Sequence, residues 1–242
     1  VTSSAEARPT LLDPEAREGA ELAVEGDAYR HLFRARRLAA GDAVRVVDGA
    51  GGAWSARVGS VGPKRALVRV GDAEPSLEGP LRLELLVGLP RPQRAAWLVE
   101  KATELGVAAV RFLHTERTVR DAGRGTVERW RRVAAAALEQ CGRARLPEVT
   151  GPHDWREIAD LLAPCRRRYV LDPGAPPLER PTAPPDTPVA ALIGPEGGWT
   201  APERAALTDL ACLPAGLGPR TLRTETAALA AAALLLVAPG DR

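Results

Sequence analysis

Two polar turns in the last quarter of the chain carry the residues best suited to chemistry. The first, Ile193-Gly-Pro-Glu-Gly-Gly198, follows the apolar run Val189–Ile193 and leads through Trp199 into a helix start at Thr200-Ala-Pro-Glu203. Glycines directly after a strand let ligand atoms approach the backbone, and Pro195 stiffens the turn. Thr200 and Glu203 have the Thr-x-x-Glu spacing of a reciprocal helix cap. The second turn, Leu217-Gly-Pro-Arg-Thr-Leu-Arg-Thr-Glu-Thr226, sets Arg223 and Glu225 just before an apolar run over 227–238. Charged groups beside such a run need either solvent or a ligand. A solvated cap through Thr224 or Thr226 satisfies this pattern as well as a binding site does. Neither turn carries GxGxxG or the Gly-Lys-Ser/Thr of a phosphate loop, so nucleotide phosphates fit poorly.

The elements that must position these turns fall into two halves. Residues 1–20 read as a strand-poor lead, and Asp27 reads as the N-cap of a helix over 28–38. Strands are predicted at 43–47, 54–58 and 66–70 around a glycine-rich turn at 48–52, a pattern that suits a small β-barrel. Residues 71–80 suit a linker. Beyond them come a buried strand over 81–89, a helix over 94–105 stopped by Gly106, and a strand over 107–113. A long helix over 126–141 and short strands at 168–171 and 189–193 follow. A Pro-rich loop over 173–188 is expected to be exposed and mobile. Alternating strands and helices predict an α/β domain with a largely parallel sheet. Trp130 is expected in the core with Arg129, Arg131 and Arg132 toward solvent, and 166–168 as a solvated edge.

Composition is that of an ordinary globular chain, with 45% hydrophobic and 26% charged residues among 242. The formal net charge of +2 does not advertise nucleic acid, although 76–150 holds 13 basic against 9 acidic residues. The cysteines at 141, 165 and 212 have neither disulfide-framework nor metal-ligand spacing, so no metal is expected. The run over 227–238 is too short to span a bilayer and reads as a buried helix. With no signal-like N-terminal stretch, a cytoplasmic protein without membrane contact is expected.

The two turns, together with Glu100-Lys-Ala-Thr-Glu-Leu-Gly-Val107, Thr115-Glu-Arg-Thr-Val119 and Glu139-Gln-Cys-Gly-Arg143 with Pro147-Glu148, resemble the ribosomal RNA small subunit methyltransferase E family of the SPOUT (α/β-knot) class. His31-Leu-Phe-Arg-Ala-Arg-Arg37 is similar to its N-terminal His-x-x-x-x-x-Arg segment. The resemblance spans roughly 27–237. It implies a PUA-like β-barrel over 1–75, followed over 76–242 by a trefoil-knotted α/β methyltransferase domain. It also implies a homodimer that uses S-adenosylmethionine to methylate N3 of one uridine in 16S rRNA, within the 30S subunit. The chain departs from the family at Leu89-Pro-Arg-Pro-Gln-Arg94, where Lys-Gly-Asp-Arg/Lys is usual, and at Glu100, where Gln is common.

On that resemblance the cofactor falls to Leu171, Gly194, Pro195, Gly197, Gly198, Leu217, Gly218, Leu222, Arg223, Thr224 and Ala227. Uridine N3 is a poor nucleophile until its proton leaves. Arg223 is therefore the candidate to stabilise the resulting anion, and Glu225 the candidate base or orienter of Arg223. Arg30, Arg34 and Arg37, spaced i, i+4 and i+7, would share one face of the 28–38 helix and contact phosphates. His31, Arg91, Arg94, Lys101, Arg117 and Arg143 would extend that RNA-binding surface. A nucleotide-binding enzyme, a non-catalytic RNA-binding module and a methyltransferase that uses S-adenosylmethionine on another RNA site are the competing readings. The first needs a GxGxxG that is absent, and the second leaves both turns without a purpose.

Overall fold

The computed structural model describes residues 8–118, 122–182 and 187–237. The chain forms two compact units, Val1–Glu78 with Ala135–Leu146, and Gly79–Ala134 with Pro147–Arg242.

The first unit is built on a five-stranded sheet. Its strands are β1 (Thr10–Leu12), β2 (Glu21–Val24), β3 (Ala43–Val47), β4 (Ala53–Val61) and β5 (Ala66–Ala73), in the order β1-β3-β4-β5-β2. Only β1 runs parallel to its neighbour; the other pairs are antiparallel. Alternation along β2 and β5 buries Leu22, Val24, Val68 and Val70 in one core with Val44, Val46 and Val58. Asp48 closes the turn before β4 by accepting the backbone N–H groups of Ala50, Gly51 and Gly52 at 2.7–3.0 Å. β1 falls inside the predicted strand-poor lead. Three residues carry no periodicity, and β1 exists because Thr10–Leu12 pair with Arg45–Val47. The presumed linker is also partly strand, since β5 runs to Ala73.

The predicted helix over 28–38 is corrected. A single α-turn, α1 (Gly26–Tyr29), passes into a π-helical segment over Arg30–Ala35, with Glu25 rather than Asp27 at the N-cap. Asp27 instead pairs with Arg30. The Arg36 N–H donates to His31 O, five residues back. This wider turn breaks the 3.6-residue register on which the arginine stripe relied. Arg37 lies beyond the segment with φ +59°. Tyr29, Leu32 and Phe33 face inward.

The second unit is a six-stranded, wholly parallel sheet. It contains β6 (Arg82–Gly88), β7 (Ala109–His114), β8 (Glu148–Asp154), β9 (Arg167–Leu171), β10 (Pro188–Ile193) and β11 (Leu213–Ala215), ordered β11-β9-β10-β6-β7-β8. The central strands are apolar on both faces, as a sheet covered by helices requires; Leu83, Leu85, Leu86 and Val87 are fully buried. Glu84 is buried among them because Arg111 Nε donates to it at 3.0 Å. α2 (Pro92–Leu105) opens with Pro92, whose missing N–H costs nothing in a first turn, and ends at Gly106 with φ +95°. α3 (Thr126–Cys141) buries Trp130 against Phe112, with ring centroids 4.3 Å apart, and leaves Arg129, Arg131 and Arg132 exposed. α4 (Ile158–Leu162), α5 (Ala201–Asp209) and α6 (Thr224–Leu236) complete the unit. α6 packs on α2 and on β6. Among the described residues no helix is long and apolar enough to cross a membrane.

Two further expectations are corrected in part. The solvated edge expected at 166–168 holds for Arg166 and Arg167, which are exposed, but not for the strand as a whole, which β10 and, from Tyr169 on, β11 pair on both sides. Arg168 donates to Cys165 O and Leu210 O. The Pro-rich loop is not uniformly exposed. Leu178 is buried, and the Gly216 N–H and C=O bond Pro176 O and the Leu178 N–H at 2.6 and 2.9 Å. Residues 183–186 of that loop lie outside the described residues.

Burial pushes the Cys165 and Cys212 thiols up to about 11. Both are therefore expected to resist a disulfide-exchange reagent at pH 8 in the folded protein and to react on unfolding. Rapid labelling of either without denaturant would show that the core around β9 opens.

Candidate active site

Parallel pairing brings the carboxyl ends of four strands to one edge. Ile193 of β10 lies beside Val87 of β6, Leu192 beside Val170 of β9, and Leu171 beside Ala215 of β11. Open α/β sheets bind ligands just beyond such ends, and the loops leaving these strands enclose a cavity of about 490 Å³. Leu171, Asp172 and Pro173 form one wall, and Ile193 to Glu196 with Gly198 and Trp199 a second. Ala215, Leu217, Gly218 and Arg220 to Thr224 form a third, closed by Ala227. Arg91, Arg94 and Arg204 complete the lining.

Local chemistry fixes each wall. Thr200 and Glu203 make the reciprocal cap that their spacing predicts, starting α5 immediately after the glycine turn. Glu203 is buried and accepts the N–H groups of both Thr200 and Glu116, at 2.8 and 3.0 Å. It thereby ties the 115–118 turn to the start of α5. The Thr224 hydroxyl donates to Gly194 O at 3.1 Å, which joins the two glycine-containing turns. Neither Thr224 nor Thr226 caps α6; that position belongs to Arg223, whose side chain makes no cap bond.

Ten of the eleven positions expected to hold the cofactor line the cavity. Gly197 does not. Arg117 packs over it and donates to its carbonyl oxygen, and an added Cβ would stand 3.1 Å from Arg117 Cδ. Arg223 lines the cavity and is exposed. Glu225 lies elsewhere than expected. It is 7% exposed, and its Oε1 sits 3.2 Å from Arg94 Nη1 while Oε2 has no hydrogen-bond partner. Its partner is thus Arg94 and not Arg223. Arg94 also reaches Glu196 at 3.2 Å.

Of the residues expected at RNA, Arg30, His31, Arg34 and Arg37 are exposed on the first unit. Arg34 donates to Pro63 O at 2.8 Å with its guanidinium 5.8 Å from the Tyr29 ring centre. Lys101 is held between Glu100 and Glu104, each at 2.7 Å, and those two hydrogen bonds raise its pKa. Arg143, by contrast, is 5% exposed, and its guanidinium grips Glu78 at 3.2 and 2.8 Å instead of standing at the surface. Arg91 and Arg94 stand at the cavity itself. Sequence reasoning missed Asp172, Trp199, Arg204 and Arg220 there. Asp172 could have been found from its place directly after an apolar strand, and Trp199 and Arg220 from the two polar turns they belong to; Arg204 has no local signal.

A family model described as an RNA methyltransferase domain matches residues 77–236, and one described as an RNA methyltransferase PUA domain matches 24–71. Ribosomal RNA small subunit methyltransferase E of Mycobacterium bovis is 32% identical over 88% of this chain and 85% of its own length. The chain belongs to this family. The Synechocystis member is also 32% identical, over 81% of this chain and 66% of that protein. A crystal structure of the Neisseria gonorrhoeae member bound to S-adenosyl methionine superposes with a TM-score of 0.85. It is 28% identical, with 93% and 95% of the two chains covered. The fold of this family member is accordingly a PUA-like unit followed by a SPOUT methyltransferase unit.

Proposed function

We propose that this chain transfers the methyl group of S-adenosylmethionine to N3 of one uridine in 16S rRNA. The observation that carries the reading is the cavity between the 193–198 and 217–224 turns, at the carboxyl edge of a parallel sheet. Its size and walls fit the cofactor. Leu171, Ile193, Leu217, Leu222 and Ala227 offer apolar surface for a purine, and Gly194, Gly198 and Gly218 bring backbone to the cavity wall. The Neisseria relative, whose fold this chain shares, is bound to S-adenosyl methionine. Bound there, the cofactor supplies a methyl group activated by a sulfonium.

The chain's own residues meet the remaining demands. The acceptor nitrogen must lose its proton, and the charge then spreads onto two carbonyl oxygens. Arg223 offers a planar fork to that anion from the cavity wall. Glu225 fixes Arg94 from behind and acts through it. Pro92 and Gln93 open α2 where the family is more flexible, so this loop presents Arg91 and Arg94 from a rigid helix start.

The same reading includes a cytoplasmic enzyme, assembled 30S particles as substrate, a trefoil knot and a homodimer. Trp97 on α2 and Leu234 on α6 are 46% and 53% exposed, large apolar side chains that a second copy could cover. Methyl transfer is expected to undermethylated 30S subunits in preference to naked 16S rRNA, with 3-methyluridine identified by mass. A different methylated base would overturn the acceptor assignment. Titration with S-adenosylmethionine that gives no heat would instead favour a non-catalytic RNA binder.

A further inference from the structure

The cavity carries more positive charge than its cofactor can use. Five guanidinium groups line it, against the carboxylates of Asp172 and Glu196. Arg204 is paired with Asp172, and Arg94 lies between Glu196 and Glu225. Arg91, Arg220 and Arg223 are exposed and have no carboxylate partner among the described residues. The unpartnered buried polar atom on the same wall, Trp199 Nε1, is also a donor. The three exposed guanidinium groups and this indole N–H all call for acceptors, while the unpartnered acceptor nearby, Glu225 Oε2, belongs to the pair with Arg94.

Two of the three arginines occupy positions that are poor for stability. Arg91 is the N-cap of α2 and Arg223 the N-cap of α6, and neither makes a side-chain cap bond. A cation there adds to the positive end of the helix dipole and leaves first-turn N–H groups without the oxygen that Ser, Thr or Asp would supply. S-adenosylmethionine, with a sulfonium and an ammonium against one carboxylate, is itself net positive and does not neutralise this rim.

We propose that Arg91, Arg220 and Arg223 form a phosphate-binding subsite that grips the backbone of the acceptor RNA strand at the mouth of the cofactor cavity. The subsite rests on the reading of this cavity as the methyl-transfer site and specifies how the substrate strand enters it. The RNA brings one negative charge per nucleotide, which is the acceptor-rich partner the rim lacks. Arg223 then has its acceptor base and a neighbouring phosphate within one field, while Arg91 and Arg220 fix the strand without reading sequence.

The test uses the full chain with a uridine-containing single-stranded RNA oligonucleotide over a range of salt concentrations. Arg91→Ser and Arg220→Ala are each expected to lower the dependence of log affinity on log salt by roughly 0.7, one phosphate's share on a single strand. Affinity for S-adenosylmethionine should fall by less than affinity for the RNA does, although both arginines line the cavity. Arg91→Ser should also raise the unfolding midpoint of the free protein by roughly 2–4 °C, because a serine can cap α2. An unchanged salt dependence in both variants overturns the subsite. So does a tenfold loss of cofactor affinity with RNA binding intact, which would assign these arginines to the cofactor carboxylate. If the wild type binds no cofactor yet the variants lose their share of salt dependence, the subsite stands and the methyl-transfer reading falls.

Discussion

Gly88→Ala is expected to weaken S-adenosylmethionine binding by roughly tenfold to a hundredfold while the protein still folds. Gly88 ends β6 directly beneath the 193–198 turn. A Cβ there would stand 2.6 Å from the Pro195 nitrogen, 2.8 Å from its Cδ and 3.0 Å from its Cα. No rotamer relieves that clash, because the obstacle is backbone and a fixed ring. Either β6 or the turn must shift, and overpacking of this kind costs roughly 1–3 kcal/mol. β6 is held on both sides, by β10 and β7, so the turn is the softer partner. Displacing it moves Gly194 and Pro195 out of the cavity wall and strains the Thr224 bond to Gly194. Calorimetric titration of the cofactor, paired with a thermal melt, checks the prediction. A variant with wild-type affinity would mean that the turn is not set by contact with Gly88.

The second large effect concerns Arg94. Arg94→Met should destabilise the protein by about 2–3 kcal/mol, because it strands the Glu225 carboxylate in the interior with neither oxygen paired. Removing one partner of a buried pair typically costs about 3–5 kcal/mol, and the lower figure allows for the partial exposure of Arg94. Adding Glu225→Gln should restore most of the loss, since a neutral amide needs no counter-ion. The double variant separates stability from chemistry. If Glu225 serves only to hold Arg94, Glu225→Gln alone should depress turnover in proportion to the disorder it introduces at Arg94, with cofactor binding unchanged. Adding Arg94→Met should then lower turnover little further. Methyl transfer measured across this cycle, beside urea melts, distinguishes the cases. A double variant as unstable as Arg94→Met would show that the pair does not carry the energy assigned to it.

Residues 193–200 illustrate what local sequence can encode. The apolar strand, the glycine turn and the Thr200–Glu203 cap are each defined by groups within a few residues, so strand, turn and helix start all form where the spacing places them. The long helix over 126–141 and the inward face of Trp130 follow for the same reason, from a 3.6-residue pattern. The short elements behave differently. β1 and β11 have three residues each, too few for any period, and are strands only because β3 and β9 present backbone groups to them. At 30–35 the local pattern misleads, because i to i+5 hydrogen bonds replace the expected register and scatter the arginines.

The turn over 217–226 marks the boundary between the two kinds of information. Its residue types alone state that Arg223 and Glu225 stand beside an apolar helix and need solvent or a ligand. The choice between those outcomes is non-local. Parallel pairing of β9, β10 and β11 brings a turn near residue 195 against one near residue 220, and the bond from Thr224 to Gly194 joins them. The same packing separates two residues that sequence had coupled, leaving Arg223 on the cavity wall and burying Glu225 against Arg94, more than a hundred positions away. Hydrogen-bond spacing and apolar periodicity act over a few residues, so sequence determines elements and candidate groups. Ion-pair partners and cavity walls depend on strand order, and only the folded chain decides them.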